Sequence, residues 1–248
     1  MRRLFIDGEL QDEIVITGSD AHHLMHVMRA RAGQHCVVVD SRQQVAEAEI
    51  KAFTADSVLL QRLSMLESCT ESPVEITLAQ CLPKGDKMDF IVQKAVELGA
   101  SFVQPLRSTN CVVRYDAKKA AARQQKWQKV ADEASKQCGR SLRPVVQSIV
   151  SLEEWLAALQ PEDGCVLFCY ENEQQQGIRS CLQASRAGRY IVLIGPEGGF
   201  TPAEAARIQA AGACTVTMGP RILRAETAAL TALAVLQYEK GDLGGRRQ

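Results

Sequence analysis

The sequence predicts an α/β fold, a parallel sheet with helices on both faces, preceded by a small β-barrel. Three observations carry that expectation. Residues 3–63 read as short strands around one helix, strand-like and helix-like segments alternate from Val74 onward, and two apolar runs between residues 190 and 228 each stop at a glycine–proline bend before a helix begins. The stretch Met65–Pro73 is polar and aperiodic. Read as a linker, it divides the 248 residues into expected domains at 1–70 and 71–248.

In the first domain, Arg3–Ile6, Ile14–Thr17, Val37–Asp40, Val45–Ile50 and Val58–Leu63 alternate or run apolar, with Gly8, Gly33 and the polar residues 41–44 as turns. Ser19 is a candidate N-cap for a helix over 20–30 that turns Leu24, Val27 and Met28 inward. His22 and His26 stand at i and i+4 on that helix. No third ligand and no general-base glutamate accompanies them, so packing or surface exposure explains them better, and no metal is expected.

In the second domain the order is a strand over Val74–Leu82, a helix over Lys87–Leu98 closed by Gly99, and a strand over Phe102–Leu106. A basic amphipathic helix follows, with Trp127, Val130, Ala131 and Ala134 on its buried side. Ser151–Leu159 opens on a Ser-x-x-Glu capping box, and Cys165–Tyr170 is another strand. Ile191–Ile194 is apolar and β-branched, the pattern of a strand buried on both faces, and it stops at Gly195. Thr201, Pro202 and Glu204 then supply an N-cap hydroxyl, a proline for the first helical position and a capping-box carboxylate. Gly212 ends that helix. A strand over Thr215–Met218 runs into Gly219-Pro220, and an Ala- and Leu-rich helix starts near Ala225 and reaches about Tyr238.

Parallel strands send their loops out from one carboxyl edge, where such sheets bind ligands. Gly195-Pro196-Glu197-Gly198-Gly199 is neither a G-x-G-x-x-G fingerprint nor a P-loop, which disfavours a pyrophosphate. Exposed main chain flanked by Ile222 and Leu223 suits instead a flat heterocycle, such as the adenine of S-adenosylmethionine, hydrogen-bonded by backbone and sandwiched by aliphatics. Either bend alone reads as turn punctuation. Two on one edge point to a ligand.

With 46% apolar and 23% charged residues the chain has an ordinary globular composition, without a membrane-length apolar run or a signal-peptide core, and cytoplasm is the expected compartment. Its nine cysteines include no C-x-x-C pair, so reduced, mostly buried thiols are expected, with Cys165 and Cys169 as core packing around a strand. The net charge of zero is unevenly spread: residues 82–144 hold 13 Lys and Arg against 6 Asp and Glu. Lys118, Lys119, Arg123, Lys126, Lys129, Lys136, Arg140 and Arg143 lie on or just after the Trp127 helix, and Lys84, Lys87, Arg107 and Arg114 extend the field. A phosphate backbone is the natural partner for such a region.

The segments Ile194-Gly195-Pro196-Glu197-Gly198-Gly199 and Gly219-Pro220-Arg221-Ile222-Leu223-Arg224-Ala225-Glu226-Thr227-Ala228 resemble the two late motifs of the SPOUT methyltransferases, in detail those of the RsmE family. Lys84-Gly85-Asp86-Lys87-Met88, Gln93 to Gly99, Glu133-Ala134 with Gln137-Cys138-Gly139-Arg140, and His23 to Gly33 fit the same pattern in order, so the resemblance covers nearly the whole chain. It implies a PUA-like RNA-binding barrel followed by a SPOUT sheet with a C-terminal trefoil knot, a homodimer, and S-adenosylmethionine-dependent methylation of N3 of one uridine in 16S ribosomal RNA of the small subunit. By the same resemblance Tyr170, Gly195, Pro196, Glu197, Gly198, Gly199, Met218, Gly219, Ile222, Leu223 and Thr227 would contact the cofactor. Arg29, Arg31, Lys84, Lys87 and Arg140 would contact RNA.

Uridine N3 is a poor nucleophile until its proton leaves, so a base or a cation that stabilises the anionic ring is the critical element. Arg224, at the start of the last helix, is the candidate, with a brace to Glu226 or Glu197 as its bland alternative. Either glutamate could act as base if a dry site raised its pKa. Other readings are a SPOUT ribose 2'-O-methyltransferase, a non-catalytic RNA-binding protein and, disfavoured by the missing fingerprint, a nucleotide-dependent oxidoreductase.

Overall fold

The computed structural model describes residues 3–67 and 70–245. The chain forms two compact units: Met1–Glu71 with Ser135–Arg143, and Ser72–Ala134 with Pro144–Gln248.

In the first unit β1 (Arg3–Phe5), β2 (Glu13–Thr17), β3 (His35–Val39), β4 (Val45–Phe53) and β5 (Ser57–Leu66) make one sheet in the order β1-β3-β4-β5-β2. Register shifts between Glu47 and Ala48 and between Ile50 and Ala52 interrupt the β4–β5 ladder. Such bulges increase local twist and bend long strands, which curls the sheet around a core containing Leu4, Ile14, Ile16, Val38, Ile50 and Leu60.

The helix between β2 and β3 departs from the expected amphipathic one. Thr17, not Ser19, is its N-cap, and α1 (Gly18–His22) passes straight into a π-helical turn, His23–Val27, in which Met28 N–H donates to His23 C=O at 3.0 Å. The wider turn breaks the i, i+3, i+4 stripe on which the inward face was counted. Leu24 is buried as expected, whereas Val27 and Met28 are 63% and 49% exposed.

Contacts are present at both ends of the expected linker. β5 extends to Leu66, and the Glu71 carboxylate accepts from Arg140 Nε and Nη2 at 3.0 and 2.7 Å and from the Ser141 and Leu142 N–H groups at 2.8 and 3.0 Å. Ser68 and Cys69 of that stretch lie outside the described residues. Arg140 is therefore a correction: only 4% exposed and forked onto Glu71, it is an internal structural cation rather than a phosphate contact.

The second unit alternates β6 (Glu75–Cys81), α2 (Lys87–Glu97), β7 (Phe102–Arg107), α3 (Ala117–Cys138, shared with the first unit from Ser135), the short β8 (Val145–Val146) and β9 (Val150–Ser151), α4 (Leu152–Ala158), β10 (Cys165–Cys169), α5 (Ile178–Ala184), β11 (Arg189–Ile194), α6 (Pro202–Ala210), β12 (Cys214–Val216) and α7 (Ala225–Lys240). The strands form a parallel sheet in the order β12-β10-β11-β6-β7-β8, with β9 also paired to β7. Central β11 is buried from Tyr190 to Ile194, as its unbroken apolar run requires.

Both predicted capping boxes form: the Ser151 and Thr201 hydroxyls accept from the Glu154 and Glu204 N–H groups at 3.1 and 3.2 Å, and each carboxylate reaches back to its cap. Trp127 is buried, and its indole N–H donates to Asp89 on α2 at 3.0 Å. The small-residue face of α7 packs inside the unit at Ala225, Ala229 and Ala232 and meets α2 and α5. The cysteine expectation fails at one pair. Cys181 on α5 and Cys214 on β12 are joined in a disulfide, because a helix not anticipated from the polar sequence before it packs against the edge strand and brings the two residues together.

Candidate active site

β10, β11 and β12 are parallel neighbours, so the segments that leave Cys169, Ile194 and Val216 emerge on one edge. They enclose a cavity of about 480 Å³. Tyr170, Gly195, Pro196, Glu197, Gly198, Gly199, Met218, Gly219, Ile222 and Leu223 all line it, together with Arg224. Thr227 does not: it is exposed, while Ala225 and Ala228 on the same turn face the cavity at i, i+3 spacing.

The first bend places a glycine in the left-handed backbone region, close against a neighbouring side chain. Gly199 has φ +63°, and a Cβ there would lie 2.2 Å from Glu171 Oε1. Asn110 fixes the same turn from the β7 side, its side-chain N–H₂ donating to the Gly198 and Gly199 carbonyls at 3.0 and 3.1 Å. Among the described residues the main-chain N–H groups of half-buried Met218 and Leu223 have no partner within the chain. Donors of that kind, between Ile194, Met218, Ile222 and Leu223, match a heterocycle held by backbone.

A charged bridge ties both bends to the start of α2. Glu197 accepts from the Lys84 N–H at 3.1 Å and from Lys87 Nζ at 3.1 Å, and the same ammonium lies 3.2 Å from Glu226 Oε2. The second contact is an ion pair without hydrogen-bond geometry, since that buried oxygen accepts no hydrogen bond. The hydrogen bond to Glu197 and then the charge of Glu226 outweigh desolvation and raise the Lys87 pKa. Burial works against ionisation of Glu197, yet its own N–H, the Lys84 N–H and the Lys87 ammonium together hold its carboxyl below the usual range.

Two expectations change accordingly. Lys87, expected as a phosphate contact, faces the carboxylates of Glu197 and Glu226. The brace considered for Arg224 is supplied by Lys87 instead: Arg224 is exposed, is the N-cap residue of α7 without a side-chain capping bond, and meets no carboxylate among the described residues. Glu226 does not line the cavity.

The remaining predicted RNA contacts, Arg29, Arg31 and Lys84, are exposed. Several basics of α3 are partly neutralised: Arg123 pairs with Asp86 at 3.4 Å and half-buried Lys136 with Asp20 at 2.7 Å. Lys118 and Lys129 are exposed. No group of three or more metal-ligating side chains occurs among the described residues, and no helix there is long and apolar enough to cross a membrane.

Sequence reasoning missed Asn110, Glu171 and the Lys87 bridge. Asn110 sits in Ser-Thr-Asn-Cys after β7, which reads as an ordinary loop; only the sheet order, with β7 one strand beyond β6 from β11 and parallel to both, brings it to the bend.

Fold and site together define a parallel α/β domain with a heterocycle-sized pocket between two main-chain bends, joined to a curled β domain. Residues 70–237 match the family described as RNA methyltransferase domain, and residues 16–61 the RNA methyltransferase PUA domain. The chain is 34% identical over 255 residues to ribosomal RNA small subunit methyltransferase E of Bacillus subtilis, covering 99% of each, and 27% identical over 243 residues to the protein of that name from Buchnera aphidicola, covering 97% and 94%. A crystal structure of ribosomal RNA small subunit methyltransferase E from Neisseria gonorrhoeae bound to S-adenosyl methionine superposes with a TM-score of 0.85 at 31% identity, covering 98% of this chain and 99% of that one. The chain belongs to the RsmE family of RNA methyltransferases.

Proposed function

We propose that this chain methylates N3 of a uridine in 16S ribosomal RNA, using S-adenosylmethionine and acting as a cytoplasmic homodimer on the small ribosomal subunit. The observation that carries the reading is the convergence of both glycine–proline bends on one 480 Å³ cavity. The RsmE relatives support the RNA substrate, and the same kinship supports a trefoil knot in the C-terminal segment.

Bound there, S-adenosylmethionine supplies a methyl group already activated on a sulfonium. The Met218 and Leu223 amides and the flanking aliphatics hold the adenosyl part and exclude water. Arg224 orients the uracil and offsets the negative charge that grows on its oxygens as the N3 proton passes to bulk solvent. Glu197 and Glu226 act as braces, one engaged by three donors and the other outside the cavity lining. Exposed Arg29, Arg31 and Lys84 contact RNA phosphates.

The test is incubation of the purified protein with labelled S-adenosylmethionine and 16S RNA, naked or in assembled small subunits, followed by nucleoside analysis. The expected product is 3-methyluridine. A ribose-methylated nucleoside would transfer the site to 2'-oxygen chemistry, and RNA binding without methyl incorporation would leave only a binding protein. Within the same assay Asn110→Ala is expected to weaken cofactor binding by roughly tenfold, since two hydrogen bonds of about 1 kcal/mol each hold the first bend and part of their loss reaches the ligand. Calorimetry checks it; unchanged affinity would show that the bend keeps its shape unaided.

A further inference from the structure

We propose that a second cavity, walled by Arg107, Arg114 and Arg207, receives one phosphate of the RNA substrate beside the methyl-donor pocket, an inference that rests on the RNA methyltransferase reading above. The cavity measures about 260 Å³ and lies where β7 ends, against the starts of α4 and α6. It is smaller than the pocket between the bends and polar in its wall, dimensions that fit an oxyanion better than a nucleoside.

Its charges are available. Arg107 and Arg114 are exposed and neither forms a salt bridge among the described residues; the Glu154 carboxylate lies within electrostatic range of Arg107 but is hydrogen-bonded to the Ser151 N–H and hydroxyl. Arg207 pairs with Glu153 at 3.2 Å, but both side chains are well exposed, so an arriving anion competes for it at little cost. The other acidic wall residue, Glu204, is turned to its own loops: Oε1 accepts from the Thr109 N–H at 2.7 Å, and Oε2 from the Thr201 N–H and hydroxyl at 2.9 and 3.0 Å. Planar guanidinium forks suit the paired oxygens of a phosphodiester.

Position selects an RNA phosphate over a free one. Thr109 belongs to the wall of this cavity, and the next residue, Asn110, holds the Gly198–Gly199 turn of the methyl-donor pocket. One short loop thus serves both cavities, so a backbone phosphate anchored here fixes the strand whose base is presented there. Such a contact positions without reading sequence.

The experiment measures binding of a 16S RNA fragment to the full-length protein across a range of salt, for the parent, Arg107→Ala, Arg114→Ala and the double variant. Arg189→Ala is the control, because Arg189 begins β11 and lies at the opposite edge of the sheet from Arg107, which ends β7. The double variant is expected to lower the slope of log affinity against log salt by about 0.7 to 0.9, the share of one phosphate, each single variant by part of that, and the double variant to bind several-fold more weakly at low salt, with cofactor affinity and melting temperature unchanged. A double variant with the parental slope, or a control that loses as much, overturns the proposal. Binding of inorganic phosphate in the cavity with no change in RNA slope overturns it in favour of a free-anion site. Failure of the parent to methylate RNA would sink the enzymatic reading alone, since the slopes are read from binding.

Discussion

Replacing Arg224 with alanine is expected to lower the methyl-transfer rate by about 10²- to 10³-fold while S-adenosylmethionine affinity stays within a few-fold of the parent. The magnitude is that of removing one preorganised charge donor from a developing oxyanion, roughly 3–4 kcal/mol. The structure makes this a clean experiment. Arg224 lines the cavity, is exposed, braces neither Glu197 nor Glu226, and caps α7 only through its backbone, so its side chain can be cut back without loosening either bend. Arg224→Lys keeps the charge but loses the planar fork, and an intermediate rate would show that orientation matters beyond charge. Single-turnover rates and calorimetric affinities separate the two effects. A parental rate for Arg224→Ala would remove this residue from the mechanism, and a lost affinity at a parental rate would make it a cofactor contact.

The fold was legible wherever local signals and tertiary demand agree. Unbroken apolar runs marked central strands such as β11, and three coincident residues at Thr201, Pro202 and Glu204 marked a helix start whose capping box forms as read. Where the sequence misled, the deciding contact was remote. The inward face assigned to Val27 and Met28 assumed 3.6-residue periodicity, and the π turn at His23–Val27 removed it. Arg140 and Lys87 look like surface cations because basic residues surround them in sequence; Glu71 claims one, and Glu197 and Glu226 the other, at separations of 69, 110 and 139 positions. The cavity was the more predictable part of the site, because glycine and proline announce its bends. Its supports were not, since an asparagine in a loop carries no mark of what it will hold.

The Lys87 bridge gives the second large effect. Lys87→Met keeps side-chain length and apolar character but removes the ammonium that lies 3.1 Å from Glu197 and 3.2 Å from Glu226. Two carboxylates from different bends then face each other without a counter-charge, and the bends are expected to separate, weakening S-adenosylmethionine binding by about 10- to 100-fold. Adding Glu226→Gln takes away one of the opposed charges, so the double variant is expected to recover part of the loss, a coupling that a merely misfolded variant would not show. The pH dependence should change sign as well. In the parent, Glu197 is held below its ordinary pKa of 4.5 and Lys87 above its ordinary 10.5. The carboxylate's contribution is therefore complete above the first value and fades as pH falls through the lowered one, and the ammonium's is complete below the second and fades as pH rises through the raised one. Parental affinity should consequently be flat between about pH 5 and 10. Without the ammonium the unrelieved carboxylates favour protonation, so the affinity of Lys87→Met should improve as pH falls toward the carboxylate range, the reverse of the parent's acid limb. Calorimetry at several pH values on the parent, both single variants and the double variant decides it; a Lys87→Met protein with parental affinity and a parental profile would mean that Gly199 and Asn110 fix the bends without this bridge.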